Sequence, residues 1–276
     1  MLLTITGAAG SLGRHLVEAA TSTGHRVRAV DRVGSGLQAQ PSVDAFEVDL
    51  LDGNALAGIV DGCDALIHLA AITRPGDQPE PIVHNNNVVA SYNALNAAAV
   101  AGVDRVCFAS SVNAVGGLYG TAPQYDYLPI DEEHPAYTSD PYSLSKRIGE
   151  FQCDDFARRH PAATVVSLRL HALMTDETSY TKWAADNDGA TGRDLWGYTK
   201  MQDATEACLR SVTASNPGHH LLYLVAPTTA SRHATEALCA KYHPGVPLRC
   251  SLPGNAGLFN CSRVEATLGL TPSSFA

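Results

Sequence analysis

The residues with the clearest chemical use are Tyr142 and Lys146, in the run Tyr142-Ser143-Leu144-Ser145-Lys146. On a helix, positions i and i+4 share a face, so a phenol and an ammonium one turn apart point into one pocket. A free tyrosine, with a pKa of about 10, is a poor base at neutral pH, and a nearby cation favours the phenolate. Lys146 is therefore expected to lower the Tyr142 pKa and equip it for general acid–base work on a hydroxyl or carbonyl. Ser111 closes the apolar run Arg105 to Ser111, where its hydroxyl can hydrogen-bond the same substrate oxygen and orient it. Alone, the Tyr/Lys spacing equally describes a solvated helix face, and its weight comes from what precedes it.

What precedes it is Thr6-Gly7-Ala8-Ala9-Gly10-Ser11-Leu12-Gly13, between the apolar Leu2–Ile5 and the helical Arg14–Ala20. This is a strand, a glycine turn and a helix start, the setting that gives a glycine pattern meaning. Gly7 permits a sharp turn, Gly10 leaves the backbone bare to a pyrophosphate, and Gly13 lets helix and strand pack closely. With Ser11 and Leu12 they form the expected phosphate-binding helix end. Asp31 follows the second strand, 18 residues after Gly13, near the distance of about 20 expected of a ribose-binding carboxylate. A carboxylate there accepts from the hydroxyls of NAD and repels the 2′-phosphate of NADP. Arg32 is placed to pair with such a phosphate, so NAD is favoured and NADP stays open.

The elements needed to position these groups follow from the hydrophobic pattern. Expected strands are Leu2–Ile5, Arg26–Val30, Phe46–Leu50, Ala65–Ala71, Arg105–Ser111, Thr164–His171 and Leu221–Val225. Expected helices run to Gly24, over 51–62, 85–101, 141–159, 199–212 and 232–242. Nearly continuous apolar strands alternating with helices predict an α/β, doubly wound parallel sheet with all strand ends of one sense at one edge. Residues 1–171 are expected to form the dinucleotide-binding core. Residues 172–276 are expected to form a small substrate-binding cap, interleaved with last core elements at about 220–242. The loop-rich 112–140, with four tyrosines (Tyr119, Tyr125, Tyr127, Tyr137), reads as a lid or pocket wall, or as ordinary loop packing.

Bulk properties narrow the class. The chain has 276 residues, 45% hydrophobic and 17% charged, with a net charge of −9, which argues against a nucleic-acid partner. Seven cysteines without a C-x-x-C pair read as reduced thiols of a cytoplasmic protein, and no metal site is expected. No basic leader and no apolar run of about 18 residues is present, so no membrane association is expected.

Together the motifs resemble the short-chain dehydrogenase/reductase superfamily, in particular its extended, NAD-dependent epimerase/dehydratase-like branch. Asp49-Leu50 is similar to the family's adenine-contacting pair, and Leu69-Ala70-Ala71 to the stretch beneath the cofactor. Asn86-Asn87-Val88-Val89-Ala90-Ser91 is similar to N-N-V-x-G-T, with Asn87 among the cofactor residues. Phe108-Ala109-Ser110-Ser111 resembles the strand of the catalytic serine, and Leu268-Gly269-Leu270-Thr271-Pro272 a terminal L-G-aromatic-x-P. The resemblance implies an NAD(P)-dependent oxidoreductase acting on a secondary alcohol or carbonyl of a polar, sugar-like or cyclic small molecule, with Ser111, Tyr142 and Lys146 catalytic and Lys146 also holding the nicotinamide ribose. In length and in Gly10–Arg14 it is closest to uronate dehydrogenases, which places Ser111 and Asn113 at substrate hydroxyls and Arg193 at a carboxylate. Thr73 and Arg74 are further substrate candidates at the ligand edge, and His171 lies where the nicotinamide is expected or is a strand-end core histidine. The alternatives are a sugar-nucleotide 4-epimerase or dehydratase and a non-catalytic dinucleotide sensor. A homodimer is expected by resemblance, through a four-helix interface of 85–101 and 141–159.

Overall fold

The computed structural model describes residues 1–74, 76, 78–178 and 188–275. Seven parallel strands form one sheet: β1 (Leu2–Thr6), β2 (Arg26–Asp31), β3 (Val43–Glu47), β4 (Ala65–His68), β5 (Arg105–Ser111), β6 (Thr164–Leu170) and, after a short pair, β9 (Gly218–Leu224). Their order is β3-β2-β1-β4-β5-β6-β9. The chain therefore winds outward in one direction from β1 and then in the other from β4. That reversal opens a crevice beyond the carboxyl ends of β1 and β4, the usual ligand position in such sheets. The short pair is β7 (Leu173–Met174) with β8 (Thr199–Lys200).

Helices cover both faces. On one lie α1 (Ser11–Ser22), α5 (Met201–Thr213) and α7 (Ser262–Leu268); Leu3, Ile5, Leu16, Ala204, Cys208, Leu222 and Val264 share their core. On the other lie α2 (Gly53–Val60), α3 (Glu80–Ala101) and α4 (Pro141–Arg159), around Leu66, Val106, Phe108, Ala94 and Phe156. β4 and β6 are buried along their whole length, which is why they read as largely apolar runs rather than alternating ones. A third cluster joins Val112, Tyr125, Leu128 and Ile130 to Leu195, Trp196, Leu238, Leu252 and Leu258, at the carboxyl end of β9 and around α6 (Thr235–Tyr242).

Several boundaries differ from the sequence pattern. The third strand is Val43–Glu47, three residues earlier than expected. It pairs with β2 from Val27↔Val43 to Asp31↔Glu47, and after Val48 the chain turns so that Asp52 can cap α2. α3 starts at Glu80, not residue 85, because Pro81 sits in its first turn where a missing N–H costs nothing. The fourth strand stops at His68, since Leu69–Ala71 leave the sheet as the floor of the glycine loop. Part of the irregular stretch expected from 174 to 195 lies outside the described residues.

Candidate active site

At the crevice, β1 runs into the glycine turn. Gly7 has φ +74°, and a Cβ there would lie 2.7 Å from the Ala70 nitrogen. A Cβ on Gly13 would lie 2.2 Å from the Gly7 carbonyl oxygen, so α1 can rest on the turn only as glycine. Gly10 differs: its φ is −68°, and the nearest protein atom to an added Cβ is the Gly7 oxygen at 3.1 Å. Its missing side chain therefore serves the open side. No side chain caps α1, so its first N–H groups face the crevice, an arrangement suited to phosphate. The Asp31 carboxylate ends β2 beside this turn and accepts from the amides of Ala9 and Arg32, both at 2.8 Å. Its remaining lone pairs suit ribose hydroxyls. The cradle, the bare helix end and this acid fit a dinucleotide.

The second half of the site comes from β5 and α4. Asp140 caps α4 by accepting from the Ser143 amide at 2.8 Å, and Pro141 occupies its first turn. Gly149 lets α4 lie directly on β5, since a Cβ there would be 2.4 Å from Cζ of Phe108. Tyr142, Lys146 and Glu150 consequently face inward and are all buried. The Lys146 ammonium donates to the Ala109 carbonyl at 2.7 Å, and lies 5.1 Å from the Phe108 ring centre and 5.9 Å from that of Tyr142. Ser111, buried at the end of β5, lies beside the Tyr142 phenol and favours its ionised form, and its hydroxyl accepts from the Asn113 amide at 3.1 Å. The three side chains proposed from sequence thus meet at one strand end.

The Tyr142 shift runs opposite to the direction expected. Burial pushes the Tyr142 phenol up to about 12, and the Ser111 hydrogen bond only partly opposes it. Burial brings the Lys146 ammonium down to about 8, against the pull of Glu150. At this depth desolvation outweighs the attraction between a phenolate and its neighbouring cation. Burial therefore sets the direction of the Tyr142 shift.

The remaining candidates separate into three groups. Gly10, Ser11, Asp49 and Arg32 are exposed along the crevice or the adjoining rim, while Leu12 and Leu50 are buried in the core, and Leu69, Ala70 and Ala71 are partly buried. Asn87 is occupied with protein: it accepts from the Ile72 amide at 2.8 Å and donates to the Ile72 carbonyl and to Ser145, tying the chain after β4 to α4. Thr73 and Arg74 are exposed. Asn113 is buried and accepts from the Leu118 amide at 3.1 Å, and the Tyr119 ring packs edge-on against Tyr142 with 5.7 Å between centres. Arg193 reaches the same loop, donating to the Gly120 carbonyl, while its own carbonyl accepts from the Tyr125 hydroxyl at 2.7 Å. The next residues, Leu195 and Trp196, are buried at positive φ, +62° and +52°, a strained turn held by the surrounding core.

Tyr125, Tyr127 and Tyr137 serve loop packing, as their hydroxyls donate to Arg193, Asp131 and Asp126 respectively. His171 has both ring nitrogens engaged: Nδ1 accepts from the Ala172 amide at 2.7 Å and Nε2 donates to the Asp194 carbonyl at 2.9 Å. It is a buried strand-end histidine. Among the described residues no group of His, Cys, Asp and Glu is arranged to hold a metal, and no helix is long and apolar enough to cross a membrane.

Comparison with known proteins agrees with this geometry. Residues 3–182 match the NAD dependent epimerase/dehydratase family. The chain belongs to that family. It is an enzyme of the NAD(P)-dependent short-chain dehydrogenase/epimerase superfamily. It is 31% identical over 223 residues to an L-arabinose 1-dehydrogenase (NAD(P)(+)) of Haloferax volcanii, covering 78% of this chain and 84% of that protein. It is 29% identical over 266 residues to a UDP-glucose 4-epimerase of Mycolicibacterium smegmatis, covering 85% and 80%. It is also similar to the solved structure of a mutated uronate dehydrogenase, at 25% identity and a TM-score of 0.65, over 89% of this chain and 86% of the other.

This family member carries one feature that sequence reasoning passed over. Glu150 and Arg169 form a buried two-point ion pair, Nε–Oε1 2.8 Å and Nη2–Oε2 2.9 Å. Ser110 donates to the same carboxylate at 2.6 Å and Arg147 at 3.0 Å. Arg169 also donates to the Tyr223 hydroxyl at 3.1 Å. The pair locks the helix of Tyr142 and Lys146 to β6, and the Ser110 bond ties the same carboxylate to the strand of Ser111. Two signals could have revealed it: Glu150 continues the i, i+4 row of Tyr142 and Lys146, and Arg169 interrupts an apolar strand.

Proposed function

We propose that the chain is an NAD-preferring dehydrogenase that oxidises a secondary hydroxyl of a small sugar-like molecule. The observation that carries this reading is the meeting of Ser111, Tyr142 and Lys146 at the end of β5, two strands from the glycine turn. NAD, when bound, would supply the hydride acceptor. Tyr142 takes the proton from the reacting hydroxyl, and Ser111 holds that oxygen by a hydrogen bond. Lys146, which donates to the Ala109 carbonyl, would hold the nicotinamide ribose hydroxyls and favour the phenolate with the pocket filled. Gly7, Gly10, Ser11, Leu12 and Gly13 seat the pyrophosphate, Asp31 holds the adenosine ribose, and Asp49 and Leu50 flank the adenine. Leu69–Ala71 form the floor, and Asn87 acts by holding Ser145 in place.

The substrate lies among Asn113, Tyr119, Thr73 and Arg193, under a cap drawn from residues 172–276. Arg193 supports a preference for a carboxylate-bearing sugar: it is half-buried, with Nε lacking a partner among the described residues. The second reading is a 4-epimerase, supported by the Mycolicibacterium relative. Mixing the protein with NAD and free sugars, sugar acids or nucleotide sugars separates the two. Net NADH formation with a free sugar or sugar acid supports the dehydrogenase, and interconversion of a nucleotide sugar without net NADH sinks it. Tyr142→Phe is expected to lower kcat at least a hundredfold; unchanged function in that variant would leave only a dinucleotide sensor.

The subunit is proposed to pair through α3 and α4. Their outer face exposes Tyr92 at 53% and Phe151 at 57%, with Val89 and Leu144 alongside, a patch suited to a second copy. A monomeric mass in solution would remove this reading, and a Phe151→Arg variant is expected to shift a dimer to monomer. A cytoplasmic setting is supported by seven free thiols, five of them buried.

A further inference from the structure

Beside the rim where Asp31 ends β2, residues 34–36 form a concave set of donors. Gly34 and Gly36 have φ +78° and +76°; their N–H groups face one point, while the Ser35 amide between them bonds the Arg32 carbonyl. That point is filled by the chain itself. The Glu47 carboxylate accepts from the Gly34 amide at 3.0 Å, the Ser35 hydroxyl at 2.9 Å and the Gly36 amide at 2.8 Å. These bonds, the Gly34 amide first, hold its carboxyl below the usual range, so it is ionised at neutral pH. Glu47 pairs in register with Asp31, the last residues of adjacent parallel strands. Arg32, between Asp31 and the donors, is exposed and in no ion pair among the described residues.

We infer that Glu47 is a second determinant of cofactor choice: its carboxylate occupies, from within, the anion-binding loop that a 2′-phosphate would otherwise use. This rests on the dinucleotide reading above. A neutral 2′-hydroxyl can donate to Asp31 without disturbing the loop. A 2′-phosphate beside it meets two carboxylates, and finds the nearest backbone donors taken. Removing the Glu47 charge frees the Gly34 and Gly36 amides and the Ser35 hydroxyl, two to four residues along the chain from the exposed Arg32, a donor set suited to a phosphate.

The test is direct binding to the ligand-free protein, read by the fluorescence of NADH and of NADPH, for the parent, Glu47→Gln and Glu47→Ala. The parent is expected to prefer NADH. Both variants are expected to raise NADPH affinity relative to NADH by roughly tenfold, the factor for removing one charge within ~7 Å of a dianion in water-like surroundings. The gain should shrink as salt rises, and NADH affinity should stay within about twofold. An unchanged NADPH/NADH ratio in both variants overturns the inference. So does an equal loss of both affinities, which would mean that Glu47 only shapes the loop. Binding of neither nucleotide by the parent removes the dinucleotide reading itself, and this inference with it.

Discussion

Replacing Lys146 by methionine is expected to make the protein more stable and nearly inactive. The Lys146 side chain is buried, 4% exposed, with one direct hydrogen bond among the described residues, to the Ala109 carbonyl. Its pKa of about 8, against an ordinary 10.5, measures how poorly the site tolerates the charge. At about 1.4 kcal/mol per pKa unit, holding it ionised at pH 7 costs about 3 kcal/mol of folding stability. Methionine matches the stem in volume and brings no charge. It forfeits the bond to Ala109, which offsets about 1–2 kcal/mol of that gain. A net gain of about 1–2 kcal/mol follows, or roughly 2–8 °C in Tm for a chain of this size.

The pH dependence gives the sharper check. Unfolded, Lys146 stays protonated to about 10.5, and folded only to about 8. Between these values the unfolded chain binds more protons, so parent stability rises with pH. The penalty is complete below pH 8 and gone above 10.5. The advantage of Lys146→Met must therefore shrink from pH 8 to 10. Above 10 the raised Tyr142 phenol begins to act in the opposite sense. Urea unfolding of both proteins at pH 7, 8, 9 and 10, with turnover measured alongside, tests this. A variant less stable at pH 7, or more stable by the same amount at every pH, would refute the reasoning.

The other expectations concern the frame of the site. Glu150→Ala strands Arg169 as an unpaired buried cation and should cost about 3–5 kcal/mol in chemical denaturation. Burial raises the Glu150 carboxyl, but Arg169, Ser110 and Arg147 together hold it below its ordinary 4.5. The stability it contributes is present above that value and lost as pH falls through the folded-state pKa, so the parent and Glu150→Ala should converge in acid; parallel curves there would contradict the account. Gly13→Ala forces a Cβ to 2.2 Å from backbone and should lower both Tm and NADH affinity. Gly10→Ala brings its Cβ only to 3.1 Å from the Gly7 oxygen, a far milder contact, so calorimetry should find a much smaller Tm loss than in Gly13→Ala while nucleotide affinity falls at least tenfold. Equal Tm losses in the two glycine variants would argue that Gly10 has no role toward a ligand.

Wherever the physics is local, the amino-acid order was enough. The turn at Gly7–Gly13, the strand Arg105–Ser111 and the helix Pro141–Arg159 are each declared by glycine, by β-branched apolar runs, or by an Asp-Pro start. Their alternation sets a parallel, doubly wound sheet, because crossovers of one hand leave few other arrangements. Such a sheet brings Ser111 and Tyr142 to the same edge as the glycine turn. Contacts between distant segments were not legible. The third strand is placed by its pairing with Val27–Asp31, not by its own apolar pattern. Tyr125, Tyr127 and Tyr137 became packing residues only when loop neighbours supplied their acceptors. Glu150 found Arg169 across the sheet, and Glu47 found Gly34 and Gly36 across a strand end. The sign of the Tyr142 shift also depended on three dimensions: spacing along a helix reveals a nearby cation, whereas desolvation depends on everything packed around the pair.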